Sequence, residues 1–336
     1  MRISETWLFQ QAANAGHSLA LCSDGTVAAW GDNYYGQLGD NQASGVRSLV
    51  PVAVNTAPTS ALSGKRVVAL AAGFRYSMAL CSDGTVAAWG WNTLGELGDN
   101  TTDTHLVPVA VNTASGVSAL SGKTVVAIAA GTMHSLALCS DGAVAAWGYN
   151  AEAELGDNTT TFRRAPVAVN TNSGVSALYG KTVVAIAGYG AHNLALCSDS
   201  TLAAWGDNSA GQIGDNTTTR RKTPVVVNST PLAAGQRFTR VFSGQETYHT
   251  LALVAAPPAC EIALTGAQAL TNAAYRFAFT NTPGAFFGVL AATNMALPLS
   301  AWTSLTGLTE VSPGQFQFTD SQATNSPQRY YRVRSP

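Results

Sequence analysis

The sequence predicts an all-β chain: a β-propeller of four full blades and a partial fifth, followed by a small antiparallel β-sandwich. Three observations carry that expectation. Residues 16–41, GHSLALCSDGTVAAWGDNYYGQLGDN, are spelled again with few changes at 75–100, 133–158 and 191–216. Trp30, Trp89, Trp147 and Trp205 stand 59, 58 and 58 residues apart, and Cys22, Cys81, Cys139 and Cys197 keep the same spacing. After Val254 the period stops and the composition shifts toward Phe, Pro and Thr. Self-similarity at a fixed period of this size marks one supersecondary unit per repeat, stacked on its neighbours.

Within a unit, Ser18-Leu19-Ala20-Leu21-Cys22 and Thr26-Val27-Ala28-Ala29-Trp30 are two short apolar runs joined by Ser-Asp-Gly. An Asp-Gly pair between such runs predicts a hairpin, because glycine accepts the positive φ of the turn. Neither run alternates apolar with polar, so both faces are expected to be buried. Ala28 and Ala29 leave room that Trp30 fills, and the tryptophan is expected to reach into the neighbouring unit. Residues 31–40, rich in Gly, Asn and Asp, predict a loop. Pro51 marks 50–54 as an edge strand, where its missing N–H is harmless. Residues 66–71 open the next unit. Four short strands per period with no helical pattern match one propeller blade.

The run VVAIAAGTMHSLALCSDGAVAAWGYN, with ELGDN and a Pro-Val after it, resembles the repeat of the regulator of chromosome condensation family. The resemblance spans about Thr6 to Val254. It implies a β-propeller of seven blades used mainly as a protein-interaction platform, some members promoting nucleotide exchange on a small GTPase. The units are read as 6–64, 65–122, 123–180 and 181–236, with a partial fifth at 237–254 that has no Asp-Gly turn and no second tryptophan. Seven blades at this period need about 400 residues. Three explanations stay open: the chain is part of a longer protein, it closes as a smaller or incomplete ring, or its open edges pair with another chain. The first is favoured, because the units show no adaptation to tighter curvature.

Residues 255–260, with Pro257-Pro258, predict a stiff linker. Residues 261–336 predict the sandwich, with strands at 275–280, 286–291, 302–305, 316–319 and 330–333 and turns at 282–284 and 312–314. This region resembles a C-terminal module of many bacterial surface and repeat proteins, which implies export and a bacterial source. Only 11% of the chain is charged, against roughly a quarter in an average soluble domain. That composition also points outside the cell, although the first residues lack the apolar core of a signal peptide. A net charge of −1 supplies no field to draw nucleic acid or an anionic membrane. No stretch approaches the ~20 apolar residues of a membrane helix.

Candidate sites divide into recurring and asymmetric positions. His17, His134, His192 and His249 share one repeat position, filled by Tyr76 in the second unit. A residue repeated this often is expected to be structural. Asp40, Asp99, Asp157 and Asp215 predict a carboxylate ring, but the spacing lacks the alternation of a calcium loop. Gly36, Gly95 and Gly211 are matched by Ala153, and Gly25, Gly84 and Gly142 by Ser200; where glycine is replaced, positive φ is not expected. The four repeated cysteines are expected to be small buried hydrophobes, and Cys260 a free thiol. The asymmetric feature is Arg163, Arg164, Arg220, Arg221 and Lys222, five cations predicted to form a patch for an acidic partner. No nucleophile elbow, zinc pattern, phosphate loop or dinucleotide fingerprint occurs. The expectation is a non-catalytic scaffold without cofactor or metal, binding a protein through its loop rims outside the cell. The alternatives are a nucleotide-exchange factor, disfavoured because uniform periods leave no wedge insertion, and a sugar binder using Tyr34, Tyr35, Trp91 and Tyr149.

Overall fold

The computed structural model describes residues 8–14, 16–42, 45, 47–233, 236–242, 251–255, 265–269, 275–280, 288–293, 302–305, 308–312, 315–320 and 330–334. His249, Cys260, the Pro257-Pro258 linker, the turn at 282–284 and Pro313-Gly314 lie outside them. The chain divides into two compact units, Met1–Val254 and Ala255–Pro336.

In the first unit, β1 (Leu8–Asn14), β2 (His17–Cys22), β3 (Val27–Gly31) and β4 (Ser48–Ala53) form one antiparallel sheet in chain order. The pattern repeats in β5 (Val67–Ala72), β6 (Tyr76–Cys81), β7 (Val86–Gly90) and β8 (His105–Ala110). It repeats again in β9 (Val125–Ala130), β10 (His134–Cys139), β11 (Val144–Gly148) and β12 (Arg163–Ala168). The fourth sheet holds β13 (Val183–Tyr189), β14 (His192–Cys197), β15 (Leu202–Gly206) and β16 (Arg221–Val226). A two-stranded sheet of β17 (Arg237–Phe242) and β18 (Leu251–Ala255) follows. No described residue is helical.

Local chemistry explains each sheet. In the second, Gly84 N–H donates to the Cys81 carbonyl at 2.9 Å, and Asp83 Oδ1 accepts from Thr85 N–H at 3.0 Å. Those bonds close the tight turn between β6 and β7. All of β6, β7, β10, β11, β14 and β15 is buried, as the unbroken apolar runs require. The proline-bearing fourth strands sit at the sheet edge. The Pro108 carbonyl accepts the Ala61 N–H of the preceding unit at 2.9 Å, and Pro166 and Pro224 do the same for Ala119 and Ala177.

Sheets stack face to face, with the first strands of successive sheets side by side. Leu21, Val27 and Leu38 of one unit share a core with Ala79, Ala87 and Trp89 of the next. Each interior tryptophan crosses that interface. Trp89 Nε1–H donates to the Gln37 carbonyl at 2.9 Å, Trp147 to Glu96 at 2.9 Å and Trp205 to Glu154 at 2.8 Å. Under each indole lies a glycine with positive φ, Gly39, Gly98 or Gly156, where an added Cβ would come within 2.8 Å of the ring. Trp30 is half-buried, and among the described residues its indole has no acceptor.

One sequence expectation is overturned. Ala153 and Ser200 keep the positive φ of the glycines they replace, at 65° and 68°. Turn closure demands that conformation: Ser200 N–H donates to Cys197 at 2.9 Å as Gly84 does to Cys81. The backbone need persists and the side chain carries the strain. Ser200→Gly is therefore expected to stabilise the chain by about 0.5–1 kcal/mol in a urea titration. Cys22, Cys81, Cys139 and Cys197 are free and buried, and burial pushes the Cys197 thiol up to about 11.

The second unit holds two antiparallel sheets. One orders β19 (Thr265–Ala269), β20 (Tyr275–Thr280), β24 (Gln315–Asp320) and β23 (Thr309–Ser312); the other orders β22 (Thr303–Leu305), β21 (Gly288–Ala292) and β25 (Tyr330–Arg334). Phe277 and Phe318 from the first sheet pack with Val289 from the second in one core. β19 and β23 were not foreseen; their small and polar residues carry little strand signal.

Candidate interaction rim

The β1–β2 and β3–β4 connections, and their equivalents, emerge at one end of each sheet. The loop after β3 is organised by Asn33, which is buried although wholly polar. Its Oδ1 accepts Leu38 N–H at 3.0 Å while its Nδ2 donates to Asp40 at 3.2 Å. Asn92, Asn150 and Asn208 repeat the arrangement. The carboxylate ring is thus spent on loop closure: Asp99 accepts Thr101 N–H at 2.9 Å and lies 2.9 Å from His105 Nε2. Asp157 and Asp215 accept the equivalent Thr159 and Thr217 N–H groups.

The same loop carries a position that the sequence reading missed. Gln37 and Gln212 are matched by Glu96 and Glu154, and both glutamates are essentially without solvent contact. The glutamines donate to Asp32 at 2.9 Å and Asp207 at 2.7 Å. In the middle units Trp91 and Tyr149 stand where those aspartates would be. Glu96 accepts Leu94 N–H through Oε2 at 2.9 Å, and its buried Oε1 has no partner among the described residues. Burial raises Glu96 to about 7 and Glu154 to about 8. The available signal was the Gln/Glu alternation itself, an acid or amide wedged between apolar and glycine positions.

The repeated histidines bridge units. His17 Nε2 lies 3.0 Å from Ser77 Oγ, and His134 Nε2 lies 2.8 Å from Asn193 Oδ1. Burial lowers His134 to about 4, so it stays neutral at physiological pH. Tyr76, at the same position, donates to the His134 carbonyl at 2.5 Å.

The five predicted cations fall on this rim but do not stand free together. Arg163 pairs with Asp157 at 2.8 Å and Arg221 with Asp215 at 2.5 Å, each within its own unit. Arg220 reaches back to Glu152 at 3.1 Å and to the Ala151 carbonyl. Arg164 and Lys222 are exposed and form no salt bridge among the described residues; their carbonyls accept Asn100 and Asn158 N–H groups of the preceding unit. The patch therefore carries much less free charge than five cations imply.

The rim also carries an aromatic cluster in which Tyr34 is exposed and Tyr35, Phe74, Arg75 and Trp91 are half-buried. Tyr35 stacks on Trp91 with centroids 5.5 Å apart, and Tyr34 meets Tyr35 edge-on at 4.8 Å. The Arg75 guanidinium lies 4.8 Å from the Tyr35 and Phe74 centroids and 5.5 Å from Trp91, and donates to Tyr35 Oη at 3.0 Å. Two adjacent units contribute to this cluster. Farther along, Tyr149 packs on Phe162 at 5.1 Å.

Residues 83–138 match the regulator of chromosome condensation (RCC1) repeat, and residues 12–37, 67–96, 125–153 and 183–212 match a second description of it. The repeats of this chain are RCC1 repeats. Over 250 residues the chain is 33% identical to the human E3 ubiquitin-protein ligase HERC2, covering 74% of the chain and 5% of that protein. It is 28% identical over 227 residues to the Arabidopsis thaliana ultraviolet-B receptor UVR8, covering 67% of the chain and 47% of UVR8. The RCC1-repeat chain thus spans less than half the length of either relative. Two solved structures share its fold. Human WBSCR16 superposes with a TM-score of 0.60 at 24% identity, covering 73% of this chain and 57% of that one. Yeast RCC1 (Prp20), solved bound to Kap60, superposes with a TM-score of 0.58 at 20% identity, covering 73% and 53%.

Proposed function

We propose that the RCC1-repeat unit is a non-catalytic scaffold that binds a protein partner through the rim carrying Tyr35, Phe74, Arg75 and Trp91. The carrying observation is the contrast in how polar and aromatic groups are used. The recurring Asn, Asp and His side chains are committed to loop closure and unit-to-unit bonds. The aromatic-arginine cluster is half-buried on one rim and keeps part of its surface open to a partner, with the residue types enriched in binding hot spots. Low charge and the Thr-, Asn- and Ala-rich composition support a place outside the cell, and the resemblance of residues 261–336 supports a bacterial surface protein.

The test is a partner captured by cross-linking, purified, and titrated against the wild-type chain and an Arg75→Ala/Trp91→Ala double variant. The expected result is at least a tenfold loss of affinity with an unchanged melting temperature. Equal binding by the variant would remove the rim from the account. The exchange-factor alternative has its own readout. Acceleration of nucleotide release from small GTPases by the purified chain would replace the scaffold reading.

A further inference from the structure

The fourth unit ends in a socket built for a tryptophan that the following unit does not supply. In the first three units the loop glycine (Gly39, Gly98, Gly156) and the neighbouring carbonyl (Gln37, Glu96, Glu154) receive the indole of the next sheet's third strand. Gly214 and Gln212 occupy those positions in the fourth unit. Gly214 keeps the same positive φ, 70°, but an added Cβ there would meet only Val227. Gly39, Gly98 and Gly156 are buried, whereas Gly214 is exposed. Gly211 is also open, while its equivalents Gly36 and Gly95 lie against the next unit's fourth strand.

The space is a groove of about 610 Å³ lined by Gly211, Gly214, Asn216, Thr217, Asn228 and Pro231. Among the described residues the next unit contributes only β17 and β18, whose Phe238, Val241 and Ala252 pack on Leu194, Leu196 and Ile213. No tryptophan occurs between Trp205 and Trp302. β18 pairs on one side with β17 and has no partner on the other among the described residues. An unpaired edge beside an empty side-chain pocket is the arrangement that strand addition exploits.

We infer that this edge and groove bind an extended strand of a partner protein, with a tryptophan seated over Gly214 and its indole N–H on the Gln212 carbonyl. The chain itself supplies the recognition rule: three times the same socket takes the tryptophan of a Val-Ala-Ala-Trp-Gly or Leu-Ala-Ala-Trp-Gly strand. A second copy does not fit. The chain's four copies of that pattern, which end in Trp30, Trp89, Trp147 and Trp205, lie on third strands already paired on both sides, so neither this chain nor a second copy has a free one to add to β18. The occupant is therefore a strand from a different protein. The socket is built on the fourth unit's rim loop and shares no residue with the Tyr35, Phe74, Arg75 and Trp91 cluster of the first two units, so the two sites can be tested separately.

The probe is a fluorescein-labelled peptide of residues 143–150, AVAAWGYN, titrated into the full chain by anisotropy. Saturable binding is expected, and replacing the peptide's tryptophan by alanine should weaken it at least tenfold. The protein variant is Gly214→Asn, which places a side chain on the socket floor. Asparagine already holds positive φ at Asn41, Asn100, Asn158 and Asn216 of this loop, so the backbone tolerates it. Gly214→Asn should weaken binding by a similar factor and leave the melting temperature within a few degrees. Pro231→Trp, which fills the groove from its wall, should do the same. Failure of the wild-type chain to bind the peptide overturns the proposal. So does binding that neither variant disturbs. Self-association by light scattering that Gly214→Asn abolishes would also overturn it, by giving the socket to a second copy.

Discussion

Trp147→Ala should cost about 3–5 kcal/mol, measured as a fall in the urea midpoint at constant m-value. The indole is wholly buried between two sheets, with its ring on Gly98 and its N–H on the Glu96 carbonyl. Removing it opens a cavity at a contact between units, where no side chain is positioned to collapse into it. The Glu96 carbonyl keeps the Ser135 hydroxyl at 2.9 Å, so the loss is chiefly one of packing. Trp30→Ala is the matched control. Its side chain is half-buried and bonded to no described acceptor, so about 1–2 kcal/mol is expected. Equal losses at the two positions would mean that the tryptophans act within their own sheets.

Glu96→Gln and Glu154→Gln should each stabilise the chain by about 2 kcal/mol at pH 8 and change little at pH 5. In the folded chain, burial raises the two carboxyls from 4.5 to about 7 and about 8. Between those limits the folded state holds protons that the unfolded state has released, so unfolding stability falls as pH rises. Above pH 8 both states are ionised and the full penalty of two buried charges remains. Glutamine abolishes that slope, leaving one amide hydrogen without the aspartate acceptor that Gln37 and Gln212 enjoy. Denaturant melts at pH 5, 6.5 and 8 would show a falling wild-type series and a flat double variant. Parallel slopes would place the titrating groups elsewhere.

The chain's architecture was legible because its signals were redundant. The Asp-Gly turns, the alanine pair beside Trp30, and Pro51 in an edge strand each pointed to the same four-stranded unit, and repetition removed the ambiguity of short apolar runs. The site was less legible, since polar residues declare their type but not their partner. Asp157 reads as a free carboxylate until the loop folds it onto Thr159 and Arg163. Arg163 and Arg221 read as surface charge for the same reason. Glu96 draws no notice in the sequence, because its burial depends on the next unit covering the loop. Ser200 misled in the opposite direction: substitution at a glycine position suggested relaxed geometry, and the backbone kept its left-handed turn regardless.

The direction of the tryptophan bond has a consequence for how such a chain changes length. Every interior unit offers a socket on one face and an indole on the other, so the two cut faces left by excising a whole period still match. Removing residues 99–156, one 58-residue period, would join Gly98 to Asp157 and deliver Trp205 to the floor that Trp147 had occupied. Duplication works equally well in reverse. Unequal recombination between near-identical copies therefore adds or removes whole units without creating a mismatched junction, and the array can lengthen or shorten while each remaining contact stays as it was.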